Sequence, residues 1–377
     1  MVSWQQVYLL VFLLGSGLTL ILTPAFKKLA EKTGVMDRPK GEKHKRHDKE
    51  TPLLGGAAMF SAWALAIGGG ILMLFSADLQ SISSEVAANL EGVKLVSGRL
   101  IIIIIGALAA TMLGLWDDKY GMDAIWKLLG QILIAAFVVS LSGIKITLFC
   151  NNPVFVWGIS VFWFVLLMNA FNFFDNMDGL AVGTSTIAMA LFAVVAALSN
   201  QYFLAALGAL TCGVGLGFWF YNHTPASIFM GDSGSHFLGY MAAVMSASIT
   251  YFSREYSLTR LPILLPFFIL AIPLFDTLAV VVIRLRNGKP IYVGDHNHIS
   301  HRFVKMGLSR RRAVQLVHLL VLALGLNVLP LLWGEFKTSI VITVQAMLLI
   351  LIVTIMQVGA ADFIKKEKVK NDQETEK

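Results

Sequence analysis

The chain has 377 residues, of which 56% are hydrophobic and only 14% charged, and its mean hydropathy is +0.72; a soluble domain carries roughly 25% charged residues. That much apolar sequence cannot be enclosed in one water-soluble core, so the chain reads as an integral membrane protein. Two cysteines, Cys150 and Cys212, without Cys–His spacing exclude a disulfide scaffold and speak against zinc.

The first apolar stretch, about Trp4 to Phe26, is too long for a signal-peptide core. It also lacks a basic start and a small-residue cleavage site, so it reads as a retained span. Further runs approach the length needed to cross about 30 Å of hydrocarbon. They lie at 53–75, 99–116, 127–143, 157–173, 180–198, 202–220, 237–252, 261–283, 313–333 and 338–358. Continuous runs such as Ile101–Ile105 and Ala188–Leu198 lack the alternation of a membrane barrel. The expected fold class is therefore an all-α polytopic membrane protein of about eleven transmembrane helices. Residues 1–358 read as a single transmembrane catalytic domain, and 359–377 as a charged cytoplasmic tail without regular structure.

Lys and Arg set the expected orientation. With the N-terminus outside and the C-terminus cytoplasmic, the cytoplasmic segments hold 24 of the 30 basic residues, leaving Lys94, Arg99, Lys145, Arg254, Arg260 and Lys337 outside. Positive-inside topology thus accounts for the net charge of +7 without nucleic acid. Basic loops at that face also attract anionic lipids and phosphorylated substrates.

The polar clusters gather on the same face, at span ends. In membrane proteins such groups are costly, so their position is informative. Asp117-Asp118 ends the third span, with Lys127 following; adjacent carboxylates there suit a hard divalent cation or a general base, although a solvated helix end explains a bare pair equally well. Asn169, Asn172, Asp175 and Asp178 follow at intervals of three, and helical continuation would put them on one stripe meeting the membrane boundary. A capping cluster before Gly179 explains Asp178 but not all four. Asn222 follows the seventh span. In Phe229-Met-Gly-Asp232-Ser-Gly-Ser235, backbone N–H groups could approach phosphate oxygens while Asp232 holds Mg²⁺ against them, though a generic turn is the simpler explanation for this run alone. His296, His298, His301 and Arg302 lie among further arginines, where phosphate binding fits better than zinc. Asp276 is the most deeply placed carboxylate; it orients this His loop or makes a structural polar contact.

Taken together these residues resemble the polyprenyl-phosphate N-acetylhexosamine-1-phosphate transferases. The matching pieces span about 27–312: Asp37-Arg-Pro39 with Thr51-Pro-Leu-Leu-Gly-Gly56, Asp117-Asp118, Asn169 to Gly179, Phe229 to Ser235, and His298-Ile-Ser-His301-Arg302. The Pro-Leu-Leu-Gly-Gly run and the spaced histidines are similar to the WecA/TagO-like branch rather than to MraY. Asn176 stands where the family commonly has Gly, and His236 where Met or Leu is frequent; both departures bear on the donor sugar.

The resemblance implies a UDP-linked amino-sugar donor, an undecaprenyl-phosphate-like acceptor, Mg²⁺ with Mn²⁺ as a substitute, UMP as product, and a homodimer as an option. It implies a bacterial inner-membrane enzyme with its active site on the cytoplasmic face. It places Asp232 with Asn172 at the metal, and Asp117 and Asp118 as an essential pair. Lys127 falls near the diphosphate, Asp175, Asp178, Asn222 and Phe229 around the nucleotide and metal, and His298 and His301 in the His motif. The physical task agrees: an anionic lipid phosphate must attack an anionic diphosphate, so charge neutralisation dominates. In a single displacement Asp117 or Asp118 would deprotonate or orient the lipid phosphate; the competing route makes a carboxylate the nucleophile. The alternative function, a transporter or flippase for a lipid-linked or anionic solute, needs charged groups near the midplane, where only Asp276 qualifies.

Overall fold

The computed structural model describes residues 3–37, 50–76, 90–252, 257–286, 288, 290 and 298–375. Helix α1 (Trp4–Thr33) is opened by a capping box between Ser3 and Gln6 and closed by Gly34 in the left-handed conformation. Two short antiparallel strands, β1 (Met36–Asp37) and β2 (Thr51–Pro52), follow. Next come α2 (Gly55–Ser76), α3 (Leu90–Tyr120) and α4 (Ala124–Ser142), the last capped by Asp123. Helix α5 (Pro153–Phe174) starts with Asn152 as cap and proline in its first turn. Helices α6 (Leu180–Leu198), α7 (Tyr202–Asn222) and α8 (Gly231–Ser248) complete this part of the chain.

The remaining described elements are a 3₁₀ turn at Leu261–Leu264, α9 (Leu265–Ile269), α10 (Ala271–Arg286), α11 (Ile299–Lys305), α12 (Arg310–Val328), a second 3₁₀ turn at Leu329–Leu332, and α13 (Phe336–Thr375). The chain divides into two compact units, Met1–Thr250 and Tyr251–Lys377, where the sequence suggested one domain.

The fold is all-α and polytopic. Nine described helices are long and apolar enough to cross a membrane, ten when the pair Leu261–Ile269 and Ala271–Arg286, bent by 69°, counts as one span. All eleven expected spans fall on described helices. The one that fails the apolar criterion, 237–252, coincides with α8, whose first turn, Gly231 to His236, is polar.

Three local expectations change. Helix α3 runs through Asp117-Asp118 to Tyr120, so the pair lies within a helix rather than after it. Helix α5 ends at Phe174, and Asp175 leaves the helix with φ −79° and ψ 60°, so the stripe of four stops after Asn172. The backbone of 359–375, expected to lack regular structure, continues α13. Lys, Glu, Ala and Gln there are strong helix formers, and no proline interrupts them.

In the first unit α8 is central. It packs against α3, α5, α2 and α6, and every residue from Ser233 to Ser246 is buried. A helix this polar at one end and enclosed on all sides must satisfy its polar groups by protein partners, and those partners form the site.

Candidate active site

The N-terminal end of α8 is held at backbone contact on two sides. A Cβ built on Gly114 of α3 would overlap the Asp232 carbonyl and the Ser233 amide, and one on Gly56 of α2 would overlap Ser233 and Gly234. Close approach at Gly114 lets Asp118, one turn further along α3, reach the helix terminus. Asp118 accepts from the amide of Asp232 at 2.7 Å and of Ser233 at 3.0 Å, one on each oxygen. It caps α8 from another helix, in the place of a local cap residue. Gly231, with φ +66°, makes the turn into α8 where any side chain would strike the Asp118 carboxylate.

On the other side, Gly55 and Gly56 donate to the carbonyls of Phe229 and Met230, and Phe229 donates to the Pro52 carbonyl. The Thr51–Gly56 segment and the Phe229–Ser235 segment are therefore one structural feature. The backbone amides that the sequence offered as a phosphate cradle are occupied: two by Asp118, and Gly234 by the Met230 carbonyl. The reason is that a helix, not an open loop, begins at Gly231.

Asp232 projects from the first turn of α8 into a cluster from three other helices. Its Oδ1 accepts from Asn172 Nδ2 at 2.8 Å, and its Oδ2 pairs with the Lys127 ammonium. Lys127 also pairs with Asp117 Oδ2 at 2.8 Å and approaches Asn172 Oδ1 at 3.4 Å. The other Asp117 oxygen accepts from Met122 N at 2.7 Å, bracing the turn between α3 and α4. Asn172 Nδ2 also reaches Ser235 Oγ at 3.0 Å. Lys127 is thus the bridge between two carboxylates 115 positions apart in sequence. Such charge-assisted contacts in a partly dry site are strong and directional.

Asp175 stands beside this cluster. Burial, then the neighbouring carboxylates of Asp232, Asp118 and Asp178, push its carboxyl well above the ordinary carboxylate range. Accumulated negative charge of this kind is what a divalent cation relieves. Among the described residues no three carboxylate, imidazole or thiolate groups form a cage for a metal ion. The oxygen donors that meet in the cluster are those of Asp232 and Asn172. That set fits Mg²⁺, which takes one or two carboxylates and fills its octahedron with water and phosphate oxygens.

Two expected binding residues hold backbone. Asp178 Oδ2 accepts from Ala226 N at 3.0 Å. Asn222 accepts from Gly179 N at 3.0 Å and donates to the Ile228 carbonyl at 2.9 Å. Together they pin the turn before α6 to the segment leading to Phe229.

In the second unit, Asp276 on α10 accepts from His298 Nδ1 at 2.7 Å and from Ile299 N at 2.6 Å. It caps α11 and fixes the His298 ring with Nε2 directed away from the carboxylate. Of the two roles open to Asp276, orientation of the His loop is the one its bonds perform. His301 lies with its ring centroid 6.3 Å from that of His298, and Arg302 follows on the same helix. His296 lies outside the described residues.

The cap role carries a prediction. Asp118→Ala leaves two amides of α8 without their acceptor and is expected to lower stability by about 1–2 kcal/mol. Asp118→Asn, which retains one oxygen, should lose less. Thermal unfolding in detergent checks the order.

Residues that the sequence did not single out are Gln131 and Gly114. Gln131 had a legible signal, since a lone amide one turn after Lys127 in an apolar span is costly unless partnered; Gly114 had none.

Against known proteins, the family described as glycosyl transferase family 4 matches residues 100–250. A Bacillus subtilis protein named "Probable undecaprenyl-phosphate N-acetylglucosaminyl 1-phosphate transferase" is 34% identical over 330 residues, 85% of this chain and 84% of that protein. A decaprenyl-phosphate N-acetylglucosaminephosphotransferase of Mycobacterium tuberculosis is 30% identical over 338 residues, 83% of this chain and 79% of the relative. A phospho-N-acetylmuramoyl-pentapeptide-transferase of Lactobacillus johnsonii is 29% identical over 352 residues, 88% of this chain and all of the relative.

Proposed function

The chain belongs to glycosyl transferase family 4 as a membrane phosphoglycosyltransferase, and from that premise we propose that it moves N-acetylglucosamine 1-phosphate from UDP-GlcNAc to undecaprenyl phosphate. The products are UMP and a polyprenyl-diphosphate-linked sugar that starts a cell-envelope glycan. The reaction takes place at the cytoplasmic face of the bacterial inner membrane. Two relatives named for GlcNAc transfer to a polyprenyl phosphate support the substrate pair. The observation that carries the reading is the convergence of Asp232, Lys127, Asn172 and Asp117 at the polar end of a buried helix.

In this reading an oxygen of the lipid phosphate attacks the β-phosphorus of the donor. The bond from that phosphorus to the oxygen bridging the α-phosphorus breaks, and UMP leaves with that oxygen. Asp232 and Asn172 would hold Mg²⁺, which would supply positive charge to the diphosphate. Lys127 holds a second positive charge between Asp232 and Asp117, ready to turn from carboxylate to phosphate oxygen as substrate enters. Of the acidic pair, Asp117 is the member suited to orient the acceptor, because it pairs with Lys127 whereas Asp118 accepts from backbone amides of α8. The acceptor's second pKa near about 6 leaves it largely ionised at neutral pH, so little base catalysis is required. His298 presents Nε2 to an anion, with Asp276 holding Nδ1.

Purified protein with Mg²⁺, UDP-GlcNAc and undecaprenyl phosphate is expected to release UMP, and a panel of UDP-sugars fixes the donor. No release with any donor overturns the reading. Single displacement also predicts that labelled UMP does not exchange into UDP-GlcNAc without lipid acceptor; exchange near the turnover rate would establish a covalent carboxylate intermediate instead.

A further inference from the structure

One helical turn beneath the reaction centre the same three helices meet a second time. Lys127 and Gln131 are four apart on α4, Asp232 and His236 four apart on α8, and Asn172 and Asn169 three apart on α5. In each case the second residue lies further inside its helix, on the same face. Asn169 Nδ2 donates to Gln131 Oε1 at 2.5 Å and to the Val165 carbonyl at 2.8 Å. Gln131 Nε2 lies 2.8 Å from His236 Nε2, and His236 Nδ1 lies 2.6 Å from the carbonyl oxygen of Asp232 itself. Gln131 and His236 are both fully buried.

The direction of this chain is determined by its end. A carbonyl oxygen can only accept, so His236 Nδ1 carries the proton and Nε2 carries the lone pair. Gln131 must then present its NH₂ to His236 and its oxygen to Asn169. Each member has one rotamer and one tautomer that satisfy it, and rotating any of the three helices breaks a bond that nothing else nearby replaces.

We propose that Gln131, His236 and Asn169 are a positioning triad that sets the rotation of α4, α8 and α5, so that Lys127, Asp232 and Asn172 meet one turn above. The role rests on the transferase reading of that upper cluster. His236 binds the backbone of the residue assigned to the metal, so displacement of the ring moves Asp232 directly. None of the three touches substrate. An apolar residue at 236 would pack but could not transmit the register.

The test is a double-mutant cycle on the full-length enzyme with Gln131→Met, His236→Leu and the double variant, scored by UMP release and by thermal midpoint. Each single variant is expected to lose at least about tenfold in kcat, since a misplacement of an ångström at a reacting centre can cost about a hundredfold. KM for UDP-GlcNAc should change by less than about threefold. The double variant, acting on one unit, should lose no more kcat than the worse single variant. Its midpoint should equal or exceed that of Gln131→Met, because the His236 ring is no longer left unpaired at position 131, while Asn169 keeps its bond to the Val165 carbonyl in both variants. Folded single variants with wild-type kcat, or losses that multiply in the double variant, overturn the triad while leaving the transferase reading intact. A wild-type protein that releases no UMP overturns the transferase reading and this role with it.

Discussion

Asp232→Asn is expected to reduce UMP release by a factor of about a thousand or more while leaving the protein folded, on the scale of removing a principal electrostatic group from a reacting centre. The substitution preserves shape and removes charge. Asn172 can still donate to the remaining oxygen, whereas Lys127 loses one of its two carboxylates and turns toward Asp117 alone. The α8 cap is untouched, because Asp118 binds the backbone amide of residue 232 and not its side chain. Thermal midpoints of variant and wild type should therefore lie close together while initial rates diverge. Asp118→Asn provides the contrast: there the larger expected effect is on stability. A folded Asp232→Asn enzyme with near-wild-type turnover at saturating Mg²⁺ would remove Asp232 from the centre of the mechanism.

Gly114→Ala and Gly56→Ala are expected to be nearly as damaging, for a different reason. Each added methyl meets backbone atoms of α8, not the end of a flexible side chain. Backbone in a buried helix cannot move aside by a rotamer change, so the helices must separate. Overpacking of this kind costs about 1–3 kcal/mol. In the case of Gly114 the separation also lengthens both Asp118 bonds and shifts Asp232 relative to Lys127. We expect a rate loss of about a hundredfold for Gly114→Ala, the scale of an ångström's displacement at the reacting centre, together with a lowered thermal midpoint. Gly68→Ala serves as a control, since a Cβ there meets nothing within 4 Å. Equal activity of Gly114→Ala and Gly68→Ala would show that the contact between α3 and α8 does not position the site.

Much of the molecule was legible before its structure. The span positions follow from apolar runs; most expected spans fall on one described helix, whereas 261–283 is broken into a short helix and α10 bent by 69°. Asp117, Asn172 and Asp232 were gathered on one face while up to 115 positions apart, because polar side chains at the ends of apolar helices are expensive and so mark purpose, and the family resemblance added Lys127. Less accessible was the division of labour within the polar set. Asp117 and Asp118 are adjacent and chemically identical, yet one pairs with Lys127 and the other caps α8. Likewise Asp178 and Asn222 hold backbone amides and carbonyls rather than projecting freely. Their residue type announces a hydrogen-bonding group without saying whether its partner is a ligand or a neighbouring turn.

The amino-acid sequence by itself determined the solvent this protein lives in, the positions and order of its apolar spans, and the chemical class of its site, because hydropathy and the cost of buried charge act residue by residue along the chain. Only the tertiary structure decided which helix ends meet, that Asp118 serves the backbone of α8, and that Gln131, His236 and Asn169 stand as a second layer beneath Lys127, Asp232 and Asn172. Those outcomes depend on the rotation of helices about their own axes and on approaches close enough to require Gly56 and Gly114. Rotation and closeness are properties of pairs of elements, and no single element's sequence carries them.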